Sequence, residues 1–345
     1  MISRRSAIAG ICAVAAWGMP VLAAGRKEVG KPPRLREGDT VGLVAPAMFS
    51  DDSDEVDKIK RTISDMGLNP KVAANVTSRY GYLAGTDQQR ARAIDAMYAD
   101  RSVRAIFAVH GGWGSARLLP LLDWALIRAN PKLLIGSSDV TALHLALAAR
   151  AGFPTIHGPN SFYSWQDLSQ DSLRRIALDG GTPTFINPQA DPNEAAVPDR
   201  WRITTIRKGK ASGKLLGGNL SVLAALVGTP WLPDFDGAIL FLEEAGEAEY
   251  RIDRMMTQLG QAGILRKVAG VVFGQCTRCA TDIPGYSGFT VPDVLRQHLE
   301  PLGVPAFSGA NVGHVANQFC LPVGVRVEID ADAGSIRMLE PAVAS

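Results

Sequence analysis

Three short stretches of this 345-residue sequence carry residue types that could do chemistry together. Gly136-Ser137-Ser138-Asp139-Val140-Thr141 stands between an apolar run and a helical pattern. A serine at such a sharp turn has its Oγ lifted above a sheet, and the next N–H points to the same place. The usual G-x-S-x-G spacing is broken, because Val140 takes the place of the last glycine. Taken alone, Ser138 or Asp139 could equally cap the helix that follows. Glu243-Glu244 ends the apolar run Ala238-Ile-Leu-Phe-Leu, where a carboxylate is costly unless it is paired or functional. His314 lies in Ala310-Asn-Val-Gly-His-Val-Ala-Asn, a polar loop with glycine access. Ser138, Glu243 and His314 are thus candidates for nucleophile, orienting acid and base, in that chain order.

A fourth stretch, His110-Gly-Gly-Trp-Gly-Ser-Ala-Arg, follows an apolar run. Its glycines let bare backbone N–H groups approach a ligand, which suits an oxyanion hole. The N–H groups of Gly112 and Asp139 are the expected donors. Trp113 and Asn219, the latter in Gly217-Gly-Asn-Leu-Ser, are the side chains expected to meet substrate. A dinucleotide fingerprint fails here. With Gly112 and Gly114 as the first two glycines, the third falls on Arg117, and Lys132 stands where an acid is needed. None of the five histidines, His110, His144, His157, His298 and His314, makes a metal pair of the H-E-x-x-H kind. Cys276 and Cys279 form C-x-x-C, but they follow the strand pattern Val268-Ala-Gly-Val-Val-Phe and enter a loop. They read as loop thiols or a local disulfide rather than a redox helix start. Neither a metal nor a cofactor is expected.

These groups need a scaffold that brings them together. From Gly38 to Gly180 short apolar runs alternate with helical periodicity. Thr40 to Pro46, Ala105 to Val109 and Lys132 to Gly136 read as strands. Asp54 to Met66 and Val140 to Arg150 read as helices, and a further helix opens with the capping box Thr86…Gln89. This rhythm implies a parallel sheet covered by helices, with its site at the carboxyl ends of the strands. Pro188, Asp191-Pro-Asn-Glu and Pro198 mark a change of character. Beyond it come a helical run from Val222 to Val227, a strand from Gly237 to Leu242, a helix from Tyr250 to Gly260 and a closing hairpin, Val325 to Asp330 and Ser335 to Leu339. The expected class is α/β: an N-terminal parallel sheet with a nucleophile elbow over 35–180, a crossing segment over 181–212, and a smaller mixed α/β domain over 213–340.

Hydrophobic residues make up 46% and charged residues 20%, which excludes disordered and collagen-like chains. Lys and Arg number 36 against 34 Asp and Glu, without a basic run, so no nucleic-acid partner is expected. Residues 1–24 have the layout of an export signal: Met1-Ile-Ser-Arg-Arg-Ser, an uncharged run, then Val21-Leu-Ala-Ala. Arg4-Arg5 resembles a twin-arginine signal. The expectation is a periplasmic protein with no stable membrane insertion after cleavage; a cytoplasmic one is the alternative. Any assembly is expected to be a homodimer.

In order along residues 38 to 330, the chain resembles the serine-type LD-carboxypeptidases, or muramoyltetrapeptide carboxypeptidases, a family shared with microcin-immunity peptidases. The matching segments include Val44-Ala-Pro, Ala84-Gly-Thr-Asp, Gly111-Gly-Trp-Gly, Gly136-Ser-Ser-Asp-Val-Thr, His157-Gly-Pro, Leu216-Gly-Gly-Asn-Leu, Phe241-Leu-Glu-Glu and Gly313-His. The resemblance implies that Ser138 is the nucleophile, Glu243 the triad acid and His314 the base. It also implies hydrolysis of the L–D bond to the terminal D-alanine of a murein tetrapeptide, with no cofactor. His110, Trp113 and Ser137 depart from the family's usual residues and bear on substrate preference. A peptidyl-nucleotide or another acyl-amide is the alternative substrate, and a non-catalytic solute-binding protein is the rival outside enzymology.

Overall fold

A computed structural model of the chain describes residues 30–50, 53–160, 165–188, 202–281 and 285–345. The export-signal reading and part of the proline-rich segment lie outside them. The first half alternates strand and helix: β1 (Thr40–Val44), α1 (Ser53–Asp65), β2 (Asn69–Val72), α2 (Asp87–Ala99), β3 (Val103–Ala108), α3 (Trp124–Ala129), β4 (Leu133–Gly136), α4 (Thr141–Arg150), β5 (Thr155–His157) and α5 (Asp167–Leu173). The apolar spacing of α1 puts Val56, Ile59 and Ile63 into the core, the stripe an amphipathic helix needs. The expected box opens α2: the Thr86 hydroxyl accepts from Gln89 N–H, and the Gln89 side chain accepts from Thr86 N–H. Every residue of β4 is buried, as befits a parallel strand covered on both faces.

The second half contains β6 (Thr184–Ile186), β7 (Thr204–Arg207), β8 (Lys210–Asn219), α6 (Leu220–Leu226), β9 (Ile239–Ala245), α7 (Glu249–Gln261), β10 (Gly270–Thr277), α8 (Val291–Leu299), β11 (Ala306–Ser308), β12 (Leu321–Val323), β13 (Arg326–Asp330) and β14 (Ser335–Met338). The described strands form two sheets. The first has the order β12-β5-β4-β3-β1-β2, and the second β6-β14-β13-β8-β9-β10-β11-β7. Strands β1 to β5 run parallel, with β12 antiparallel at the edge. In the second sheet β8, β9, β10 and β11 are parallel, and the flanking strands are antiparallel.

One feature differs from the sequence reading. The segment expected to cross between domains supplies β6 and β7, which close opposite edges of the second sheet. The second sheet carries eight strands and the first six. Short edge strands bury few side chains and leave little periodicity to read. The chain also returns to the first sheet through β12, whose Leu321 pairs with His157 of β5. The halves meet where β8 ends on α4: Asn219 N–H donates to the Thr141 hydroxyl at 3.0 Å.

Candidate active site

Strand β4 ends at Gly136, and the chain then turns sharply. Ser137 is extended, and Ser138 follows with φ 62°. That left-handed conformation is unfavourable for a side chain with a Cβ. Three contacts hold the turn. Asn160 Oδ1 accepts the Ser137 N–H at 3.0 Å. His144 Nε2 lies 2.8 Å from the Gly136 carbonyl, and its Nδ1 2.8 Å from the Thr155 hydroxyl. A carbonyl only accepts, so the His144 proton sits on Nε2. Burial pushes this imidazole down to about 3, which keeps it neutral. Ser137 is buried, whereas Ser138 is half-exposed and lines a cleft of about 870 Å³.

The helix-cap reading fails at both residues. Neither the helical turn at Ser138 nor α4 has a side-chain cap. The buried Asp139 instead accepts the Ser115 N–H at 2.7 Å across the site. It thereby anchors the far end of the glycine loop Gly111–Gly114. Arg90, itself buried, donates to the carbonyls of Gly114 (3.0 Å) and Pro46. Burial raises the Asp139 carboxyl above its ordinary range, against the Ser115 hydrogen bonds. Gly111 packs directly on the elbow: a Cβ there would fall 2.7 Å from Ser138 Cβ. The backbone of Gly112 therefore sits beside Ser138 on the cleft wall.

The second half supplies an acid and a histidine. Glu243 and Glu244 end the buried run of β9, and adjacent strand residues point to opposite faces. Glu243 Oε2 lies 2.7 Å from His314 Nδ1. A carboxylate only accepts, so Nδ1 carries the proton and Nε2 is the basic nitrogen. Glu243 is fully buried, and His314 lines the cleft in front of it. Gly313 permits this approach: its φ is 128°, and a Cβ would meet the Glu243 carboxylate at 3.0 Å. Burial pushes the His314 pKa down, but the hydrogen bond and charge of Glu243 outweigh it and leave the value raised. Burial pushes Glu243 up, and His314 brings it below the ordinary glutamate value.

Glu244 has a different occupation. It accepts from Ser221 N–H (2.8 Å), Ser221 Oγ (2.7 Å), Ala245 N–H (2.8 Å) and Asn219 Nδ2 (3.0 Å). Asn219 Oδ1 also caps α6 by accepting from Val222 N–H. The Asn219 amide thus faces the cleft with both ends already engaged by the protein. Trp113 is 56% exposed at the cleft, with its ring 6.1 Å from that of Tyr82.

Sequence reasoning missed the supports. Asn160 follows His157-Gly-Pro at the end of β5, and the end of a parallel strand was its only signal. His110 Nε2 lies 3.0 Å from Glu55 Oε2 on the same cleft. His157 is buried on the Phe241 ring, and burial pushes it down to about 4. A disulfide joins Cys276 and Cys279, one of the two expected states. Cys320 is a buried thiol pushed up to about 12. Among the described residues, no group of three or more His, Cys, Asp or Glu could hold a metal ion, and no helix is long and apolar enough to cross a membrane.

The two halves match family models separately. Residues 41–158 match the LD-carboxypeptidase N-terminal domain, and residues 212–329 the LD-carboxypeptidase C-terminal domain. The chain belongs to the LD-carboxypeptidase family. It is 35% identical over 249 residues to a Bacillus subtilis protein named "Probable murein peptide carboxypeptidase", covering 72% of this chain and 76% of that one. Its fold is similar to that of the microcin C7 self-immunity protein MccF in the wild-type apo state, with TM-score 0.80 and 25% identity over 91% of this chain and 99% of that one. The muramoyltetrapeptide carboxypeptidase from Oxalobacter formigenes aligns with TM-score 0.71 and 27% identity over 88% of this chain and 99% of that one. The matched boundaries place the elbow of this LD-carboxypeptidase in the N-terminal domain, and Glu243 and His314 in the C-terminal one.

Proposed function

We infer that this member of the family is a serine LD-carboxypeptidase that removes the terminal D-alanine from murein tetrapeptides. The observation that carries this reading is the meeting, in one cleft, of a left-handed elbow serine with a histidine whose Nδ1 is held by a buried glutamate. His314 Nε2 takes the Ser138 proton, and Oγ attacks the carbonyl of the L–D bond. The N–H groups of Gly112 and Asp139 hold the oxyanion. His314 then protonates the amine of the leaving D-alanine, and water enters by the same route to release the acyl group. Glu243 keeps the proton on Nδ1 and stabilises the imidazolium formed at each attack. The names of the relatives from Bacillus subtilis and Oxalobacter formigenes support the murein substrate.

Mass spectrometry of a muropeptide mixture incubated with the purified protein tests this. The expected product is the tripeptide, lighter by one alanine residue; an unchanged tetrapeptide pool refutes the substrate. A second reading, hydrolysis of a peptidyl-nucleotide, draws on the exposed Trp113 ring at the cleft, with the Tyr82 ring beside it, as a surface on which a base could stack. The same assay with an aminoacyl sulfamoyl nucleoside separates the two. The Arg4-Arg5 pair and the uncharged run after it support a periplasmic location, and an intact Met1 on protein from the cytoplasmic fraction would refute it.

A further inference from the structure

Strand β10 runs past Gly274 into Cys276-Thr277-Arg278-Cys279, with Cys276 in register with Glu244 and Thr277 with Ala245. The disulfide closes these four residues into a turn whose ends are 5.5 Å apart at Cα. Inside it Arg278 has φ 56°. Of the three non-glycine residues with positive φ among the described residues, Ser138 and Arg278 both line the cleft. Such conformations persist where the surroundings impose them, and they gather at functional sites. The turn is clasped to the histidine loop: the Thr277 hydroxyl donates to the His314 carbonyl at 3.0 Å. From the other side, Gly246 N–H donates to the Thr277 carbonyl at 2.9 Å.

Arg278 is the only lysine or arginine among the described residues that line the cleft. Three glutamates share its walls, and each has a partner. Glu55 faces His110, Glu244 holds Ser221 and Asn219, and Glu247 pairs with Arg251 at 3.4 Å. No carboxylate among the described residues is within ion-pair distance of Arg278. Its charge nevertheless reaches the base: at His314 it opposes the two glutamates, as burial does more strongly.

A carboxypeptidase meets a particular geometric demand. The leaving nitrogen and the terminal carboxylate sit on the same α-carbon, so the cation that binds the carboxylate must lie beside the group that protonates the nitrogen. We propose that Arg278, held over the cleft by the Cys276–Cys279 turn, binds the terminal carboxylate of the substrate. A guanidinium can take a carboxylate in two parallel hydrogen bonds, which fixes the C-terminal residue as well as attracting it. The requirement for a free C-terminus then resides in Arg278 and depends on the disulfide. This assignment rests on the carboxypeptidase reading.

The test compares a murein tetrapeptide with its C-terminal amide. In the wild-type protein, amidation should lower kcat/KM by about 10- to 100-fold, the worth of a charge-assisted hydrogen bond. Arg278→Ala should cause a similar loss with the free acid and little further loss with the amide. Arg278→Lys should recover only part, because it cannot bind in the two-pronged way. Cys276→Ser/Cys279→Ser should raise KM for the acid more than for the amide, and reductant should do the same to wild type but nothing to the double variant. Equal losses on acid and amide in Arg278→Ala overturn the assignment. Calorimetric binding of the two peptides to Ser138→Ala separates it from the activity reading. If wild type releases no D-alanine, that reading has failed. Arg278 is then judged by whether binding prefers the acid and loses that preference in Ser138→Ala/Arg278→Ala; equal binding of both peptides by Ser138→Ala overturns it.

Discussion

At the end of β4 the side chain is aimed by the backbone. Ser138 is held in a left-handed conformation, its neighbours Ser137 and Gly136 are tied down by Asn160 and His144, and its own side chain is left for the cleft. At the ends of β9 and of the loop after β11, aim comes from side chains. Glu243 sits in relaxed strand geometry, and His314 is oriented by one hydrogen bond of 2.7 Å to it. The first arrangement costs conformational energy and makes the residue hard to move. The second is cheap in backbone terms but depends on a charge. Two neighbouring pairs make the contrast local: Ser137 against Ser138, and Glu243 against Glu244.

The largest effect expected is at the elbow. Ser138→Ala should lower kcat by on the order of 10⁴-fold or more, as loss of a triad nucleophile does, while Ser137→Ala keeps most of the activity. Steady-state turnover of a tetrapeptide checks it, and the reverse pattern would assign the nucleophile to Ser137. Next comes Glu243→Gln, with a fall in kcat on the order of 10³-fold. This variant also carries a pH signature. His314 must be neutral to accept the serine proton, so activity rises with pH through its pKa. Glu243 raises that pKa, so the acidic limb of the wild type should lie above the ordinary imidazole value near ~6.5. In Glu243→Gln the residual activity should have its limb at lower pH. An unmoved limb in Glu243→Gln, with turnover lost in Glu244→Gln, would transfer the orienting role to Glu244.

The smallest effect tests the cost of aiming by backbone. Ser138→Gly relieves a left-handed residue, worth about 1–2 kcal/mol, against the roughly 0.5–1 kcal/mol that glycine adds to the freedom of the unfolded chain. A net gain of up to about 1 kcal/mol is expected, visible as a rise in Tm with activity lost. Ser137→Gly, in an extended residue, should be destabilising instead. If both glycines lower Tm alike, the elbow stores no strain.

Much of this arrangement was legible because it is local. The apolar runs of β1, β3, β4 and β9, the stripe of α1, the Thr86 box and the closing hairpin each declare themselves within a dozen residues. Helix α8 went unread, although Thr290 and Asp293 form a capping box before it. The strands β6, β7 and β12 stayed hidden, since three or four residues at an edge show no period and take their meaning from a distant partner. The contacts that steady the site were hidden for the same reason, even at Asp139 and Asn219, which the sequence singled out for other roles. Asp139 holds Ser115, Asn160 holds Ser137, and Asn219 serves both α6 and Glu244.

The sequence by itself determined the α/β class, the alternation of the longer strands and helices, the three stretches with a serine, an acid and a histidine, and the resemblance that joined them. Only the tertiary structure decided which of two adjacent residues does what. It turned Glu243 rather than Glu244 toward His314, because β9 lies between β8 and β10 and its pleat gives the two glutamates different neighbours. It also set Arg278 beside His314, through a disulfide turn and one threonine hydrogen bond. Local pattern records how a chain segment folds on its neighbours in sequence. A cleft is made of segments far apart in the chain, and their meeting is fixed by packing that no single segment encodes.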